Sequence, residues 1–470
     1  PPYRQACIQT EILKHPPGIP IFGGTAYQSK ISVSTPTIIS PYRNASCNTV
    51  YVVLDFHTIA HVSNRRETLM PRSQTFSYDQ LYAKGIPGPQ NRSISTKCKY
   101  DFGTSCPPPE LLPIGDLIDS LEIGLLEEGR DLAVYPDLQG YLPLREFIAS
   151  KLSRDRDINV SADEIFMGDG SGQPIRMLAE ALLDPGDVVL MEHAVYGGTV
   201  GNVKRYGAEI RGVNCDEDGM LPDALEDAIK ASISEGRKAK LIYTIPSFQN
   251  PQGWVMTLER REEMVRLSQR YDVPVLEDDC YVDLRLEGEP VTSISSLDGT
   301  GRVMYVGSFS KILWPGLRTG YIVAPPQVLD RLAGIKSGGG INQFTALAVH
   351  RYCSAHLDDH IRKVNATLKV KRDAMLGALN DHFGSTAKWS NPSGGLYVWL
   401  QMPEEVDLVE ILDKALNVDV SYHTGPVFST DGVSFRNCAR LCYGFNTPEE
   451  ISEGIGRLGR VLEKEGVRRS

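Results

Sequence analysis

The sequence predicts an α/β protein in which a mainly parallel, doubly wound sheet is followed by a smaller α+β C-terminal domain. Three observations predict it. From Asp163 onward, short apolar runs alternate with longer amphipathic ones, the pattern of a parallel sheet covered on both faces. After Pro325 the texture changes to longer helical stretches, broken by Ser337-Gly338-Gly339-Gly340. Polar residues able to carry chemistry recur at the ends of the strand-like runs, where open α/β sheets present their ligand contacts.

Taken in order, Glu164 to Met167 reads as a strand, Gln173 to Leu183 as a helix and Asp187 to Met191 as a strand. A helix fits Tyr196 to Tyr206, a strand Glu209 to Val213, a helix Leu221 to Ser234 and a strand Lys240 to Ile245. Thr257 to Tyr271 has helical spacing of charged and apolar residues, and Val273 to Leu276, Val303 to Val306 and Gly320 to Val323 read as strands. The second unit opens with a helix from Gln327 and a helical stretch around Asp358 to His382. It continues with a strand at Leu396 to Leu400, a helix at Leu408 to Leu416, a strand at Arg440 to Tyr443 and a helix at Pro448 to Leu462.

The chain has 470 residues, 41% of them hydrophobic, enough for more than one sizeable core and too apolar for a disordered chain. Its net charge of -10 argues against a basic nucleic-acid surface or an anionic-membrane binder, so any anion it holds needs a local site. No run reaches the roughly 20 uncharged apolar residues of a membrane helix. Nine scattered cysteines without a Cys-x-x-Cys pair favour reduced thiols in a cytoplasmic compartment and no metal site. Residues 1–69 carry 6 Lys/Arg against 3 Asp/Glu, and the first methionine is Met70. They read as an N-terminal extension, either a loosely ordered arm or text upstream of the start, the second being favoured. The triplets at Asn44 and Asn91 match the glycosylation pattern, but triplets this short recur by chance.

The sharpest segment is Ser308-Phe309-Ser310-Lys311 followed by Pro315-Gly316-Leu317-Arg318, directly after a strand. A lysine there can form an imine with an aldehyde while two hydroxyls and an arginine hold a phosphate, the layout pyridoxal phosphate requires. Read alone, it is equally a surface Lys-Arg pair. Asn250 follows another strand in Gln249-Asn250-Pro251-Gln252-Gly253, and Asp278 and Tyr281 follow a third in Glu277-Asp278-Asp279-Cys280-Tyr281. Asn and Tyr can bond a phenolate oxygen, and a buried carboxylate can keep a pyridine nitrogen protonated. By themselves these are also a common turn and a solvated acidic pair. Gly168-Asp169-Gly170-Ser171-Gly172-Gln173 joins a strand to a helix whose first N–H groups can cradle an anion. Gln173 stands where a dinucleotide fingerprint needs its third glycine, so that reading fails.

With these motifs in this order, the sequence resembles the class I/II aminotransferases of pyridoxal phosphate fold type I, nearest the α-aminoadipate/kynurenine-type subgroup. The resemblance runs from about Asp101 to Leu462. It implies Lys311 as the Schiff-base lysine and proton shuttle, Asp278 on the pyridine nitrogen, and Asn250 with Tyr281 on the ring oxygen. It implies Ser171, Gly172, Gln173, Ser308, Ser310 and Arg318 around the phosphate, Tyr196 stacked on the cofactor, and Arg440, with Asn250, on the substrate's α-carboxylate. Tyr135 matches a tyrosine that reaches the neighbouring subunit's phosphate, which implies a homodimer. The implied reaction moves an amino group between an L-amino acid and a 2-oxo acid, with 2-oxoglutarate as the expected acceptor.

The expected organisation is an extension over 1–69, a lead-in over 70–120, a large cofactor-binding domain over 121–325 and a small domain over 326–470. Two departures stand out. The subgroup's Gly-Gly is replaced by Thr104-Ser105, which can narrow the substrate pocket, and His193 stands in a loop that lacks the subgroup's proline. Lyases and decarboxylases share the same cofactor contacts, and a non-enzymatic cofactor-binding regulator is a third reading. A serine acyl enzyme, suggested by Ser308-x-x-Lys311, lacks the accompanying Ser-Asp-Asn.

Overall fold

The computed structural model describes residues 77–82, 88 and 98–467. The 1–69 extension, most of residues 70–97 of the 70–120 lead-in, and Asn44 and Asn91 lie outside them.

A seven-stranded sheet runs in the order Ile165–Asp169, Thr319–Val323, Val303–Ser308, Val275–Asp278, Ala239–Thr244, Val188–Glu192, Glu209–Val213. Strands such as Val188–Glu192 and Thr319–Val323 are buried along their whole length, as expected of a sheet covered on both faces. Six strands point the same way, and Thr319–Val323 runs antiparallel to both its neighbours. The reason is the connection. Only residues 309–318 link Ser308 to Thr319, too few for a crossover helix. This reversal delivers the start of Thr319–Val323 to the edge where its parallel neighbours end, pairing Thr319 with Asp169 and Gly320 with Ser308.

Several limits differ from the sequence reading. Val275–Asp278 and Val303–Ser308 run two residues further toward the strand ends than expected. A single 41-residue helix, Gln343–Phe383, replaces the stretch expected around Asp358 to His382. Its start is set by Asn342, whose side chain accepts from the Thr345 N–H, and about 60 Å of helix follows. The helices Ile114–Glu128 and Leu142–Arg156 were not anticipated.

Beyond the long helix, a four-stranded antiparallel sheet runs Lys388–Trp389, Tyr397–Gln401, Cys438–Cys442, His423–Thr424. It is backed by Leu408–Leu416 and Pro448–Lys464. The last helix opens on a capping box between Thr447 and Glu450. A short strand, Tyr100–Asp101, pairs in parallel with Val420–Ser421. No helix among the described residues is long and apolar enough to cross a membrane.

Candidate active site

A cavity of about 270 Å³ opens at the carboxyl edge of the seven-stranded sheet. Eleven of the thirteen residues singled out from the sequence line it: Lys311, Ser171, Gly172, Tyr196, Asn250, Asp278, Tyr281, Ser308, Ser310, Arg318 and Arg440.

One end is built to receive an anion. Gly170, Ser171 and Gly172 turn from the first strand into the helix Gly172–Leu182, and the Ser171 hydroxyl does not cap that helix. Gly170 has φ +71°, and a side chain there would sit 2.5 Å from Arg318 Nη2. Glycine therefore lets the guanidinium close on the turn, where Nη2 donates to the Asp169 carbonyl at 2.8 Å. Ser308 Oγ accepts from the Ser310 N–H at 3.1 Å, so both hydroxyl residues of the lysine segment stand at this end.

Asp278 also lines the cavity. Its Oδ2 accepts from the Tyr243 hydroxyl at 2.7 Å, while Oδ1 is buried with no hydrogen-bond partner of sound geometry. Burial pushes the carboxyl's pKa up, opposed by Cys280 and the Tyr243 hydroxyl. A buried acceptor left over in this way is costly unless a donor or cation meets it.

Lys311 Nζ donates to the Ser105 carbonyl at 3.1 Å. Asn250 Nδ2 donates to the Tyr281 hydroxyl at 3.1 Å, and that hydroxyl lies 3.0 Å from the hydroxyl of Tyr397. Arg440, 3% exposed, donates from Nη1 to Asn250 Oδ1 at 3.2 Å and from Nη2 to the Gly103 carbonyl at 2.8 Å. The rings of Tyr397 and Phe428 lie 4.4 and 4.9 Å from its guanidinium carbon.

Gln173 and Tyr135 do not line the cavity. The Gln173 side chain turns back to accept from the Asp169 N–H at 3.0 Å, bracing the turn from outside. Tyr135 is 93% exposed. His193 sits in its loop against Phe435 and Asp431, outside the cavity lining. Sequence reasoning missed Tyr397, His423 and Cys280 as lining residues. Cys280 lay inside a quoted motif. Tyr397 and His423 had no local signal, because they reach the cavity only when their strands flank Cys438–Cys442.

The family model for aminotransferases of class I and II matches residues 106–458. The aromatic-amino-acid aminotransferase 1 of Thermococcus litoralis is 35% identical over 376 residues, 79% of this chain and 90% of that protein. The chain belongs to the class I and II aminotransferases. This aminotransferase is also 30% identical to YdfD of Bacillus subtilis, an uncharacterized HTH-type transcriptional regulator, over 86% of this chain and 83% of the regulator. Its fold matches the kynurenine aminotransferase of Pyrococcus horikoshii, solved in complex with PMP, with TM-score 0.75 and 32% identity over 79% of this chain and 92% of that one.

The enzyme is pyridoxal phosphate-dependent, with the type I fold. The residues fit that cofactor: a glycine turn at a helix start beside Arg318, a buried carboxylate oxygen without a hydrogen-bond partner, and a lysine, all lining one cavity.

Proposed function

We propose that this aminotransferase moves an amino group from an L-amino acid to a 2-oxo acid, with 2-oxoglutarate as acceptor. The observation that carries the reading is the convergence of Lys311, Asp278 and Arg440 on one cavity. Pyridoxal phosphate supplies, when bound, an aldehyde and a protonated ring that accepts the electron pair left on the substrate's Cα.

The chain's own residues supply the rest. The turn at Gly170–Gly172, with Ser308, Ser310 and Arg318, offers donors to the phosphate. Asp278 would hold the ring nitrogen in its protonated form, and that cation would offset the penalty that burial imposes on the carboxylate's charge. Asn250 and Tyr281 address the ring oxygen, and Tyr196 offers its ring as a stacking face. Arg440 grips the α-carboxylate with two parallel N–H bonds and so turns the Cα–H toward Lys311. Lys311 would hold the cofactor through Nζ, and the same amine, when free, would take up and return the proton of the substrate's Cα.

The chain is further read as a homodimer in a cytoplasmic compartment, with a large domain over 121–325 and a small one over 326–470. Ile114, Ile118, Leu126, Val134, Tyr135 and Leu142 are all exposed within one short stretch of the chain, which supports a second copy covering part of it. The seven cysteines among the described residues are free thiols, in keeping with a reducing compartment.

Two measurements test the reaction. Lys311→Ala should abolish both the visible absorbance of the cofactor-loaded protein and turnover, and turnover that survives overturns the assignment. A donor panel of 2-aminoadipate, aromatic and branched-chain amino acids with 2-oxoglutarate should yield glutamate. Release of ammonia and pyruvate from a cysteine conjugate without any new amino acid would establish a lyase instead. The regulator relative favours a second reading, non-enzymatic cofactor binding coupled to DNA. Specific binding to a duplex probe with no turnover on the whole panel would establish it.

A further inference from the structure

Arg440 is held by the protein's own groups, and one of them is a backbone carbonyl from more than 300 residues away. Of its five N–H donors, one on Nη1 goes to Asn250 and one on Nη2 to the Gly103 carbonyl, while Nε is buried without a partner. Tyr397 and Phe428 fix the guanidinium against their rings. One N–H on each terminal nitrogen is left, two donors for the two oxygens of a carboxylate.

Gly103 is placed by Asp101. The Asp101 Oδ1 accepts from the Gly103 N–H at 2.8 Å, the Thr104 N–H at 3.1 Å and the Ser421 hydroxyl at 2.8 Å, and Oδ2 accepts from the Thr104 hydroxyl at 2.7 Å. The backbone is stitched on both sides of this turn. The Phe102 N–H donates to the Ser421 carbonyl at 2.9 Å, and the Cys442 N–H donates to the Phe102 carbonyl at 2.8 Å. The second stitch fastens the turn to the strand that carries Arg440. The hydroxyl of Thr104 is one of the four donors. Burial works against the charged carboxyl of Asp101, but the hydrogen bonds from Thr104, Ser421 and Gly103 outweigh it and hold its pKa below the ordinary value.

We propose that Asp101 is a positioning residue for substrate recognition: it folds residues 101–105 into a turn that seats the Gly103 carbonyl on Arg440 and so presents the guanidinium for the α-carboxylate. The proposal rests on the reading of Arg440 as the carboxylate-binding residue. Donor and acceptor share that carboxylate, so the device serves both half reactions. Thr104 strengthens it.

The test uses the cofactor-loaded enzyme and two reagents that capture the cofactor's aldehyde carbon as an oxime, aminooxyacetate and O-methylhydroxylamine. Only the first carries a carboxylate. Capture is followed by absorbance, with cofactor occupancy and Tm measured beside it. Asp101→Ala should slow capture by aminooxyacetate about tenfold, as expected when a grip is misplaced rather than removed, and leave O-methylhydroxylamine within about twofold. The KM values for amino donor and 2-oxo acceptor should rise together. Thr104→Val should show a smaller change of the same kind, and Asp101→Asn should recover part of the loss.

Arg440→Gln is the reference, because it should remove the preference for the carboxylate-bearing reagent altogether. If Arg440→Gln removes that preference and neither Asp101→Ala nor Thr104→Val changes it, the positioning role is overturned and the reading of Arg440 stands. If Arg440→Gln leaves the preference intact, the reading of Arg440 fails and the proposal falls with it. Equal slowing of both reagents in Asp101→Ala, or a fall in Tm with unchanged capture rates, marks Asp101 as merely structural and also overturns the proposal.

Discussion

Asp278 and His423 line the same cavity, and burial pushes their pKa values in opposite directions because it disfavours whichever form is charged. For Asp278 burial raises the pKa, and a cation at Oδ1 would work against that shift. Asp278→Asn keeps the shape and removes the charge, so kcat should fall by at least about a hundredfold, the size expected for a lost electrostatic contact. Steady-state kinetics would check it, and a loss under tenfold would deny Asp278 its place at the ring nitrogen. For His423, burial and the nearby Arg440 cation lower the pKa to about 4, with Asp101 opposing them. In the unfolded chain a histidine titrates near 6.5, so between about 6.5 and 4 the unfolded state binds a proton that the folded state refuses. Stability therefore falls as pH drops through that window and levels off below it. His423→Gln removes this contribution, and its Tm should fall less between pH 6.5 and 4 than that of the unaltered protein, as thermal unfolding at stepped pH would show.

At the scale of elements, the decisive feature is the reversed strand Thr319–Val323. It brings Gly320 so close to the anion-binding turn that a side chain there would lie 2.4 Å from the Ser171 N. Gly320→Ala should weaken cofactor binding at least tenfold, since the backbone it strikes has nowhere to move; titration with pyridoxal phosphate reads this directly. Thr447→Ala, at the capping box of the last helix, should instead cost about 1 kcal/mol of stability and leave cofactor affinity unchanged. Strands and helices were legible wherever an element carries its own period, as at Glu209–Val213 and Leu408–Leu416, whose limits the sequence reading met. Ile114–Glu128 and Leu142–Arg156 were not anticipated, and the pairing of Tyr100–Asp101 with Val420–Ser421 joins segments with no sequence proximity to announce it.

At the scale of the molecule, the exposed apolar residues between Ile114 and Leu142 make the assembly testable. Light scattering should give twice the mass of one chain, and Tyr135→Ala should lower cofactor affinity if the residue reaches a second copy's phosphate. Unchanged affinity in a dimer would remove Tyr135 from the shared site.

The sequence by itself determined the cofactor motifs, because Ser308 to Arg318, Asn250 and Asp278 to Tyr281 each sit in a short segment whose chemistry depends on neighbours along the chain. Only the tertiary structure decided what surrounds Arg440, a residue the motifs had already singled out. His423, Tyr397, Arg440 and the turn held by Asp101 lie on separate segments, and a hydrogen bond such as that from Arg440 to Gly103 spans 337 residues. Local spacing cannot record such a contact, since it exists only once the strands are paired and the core has closed around them.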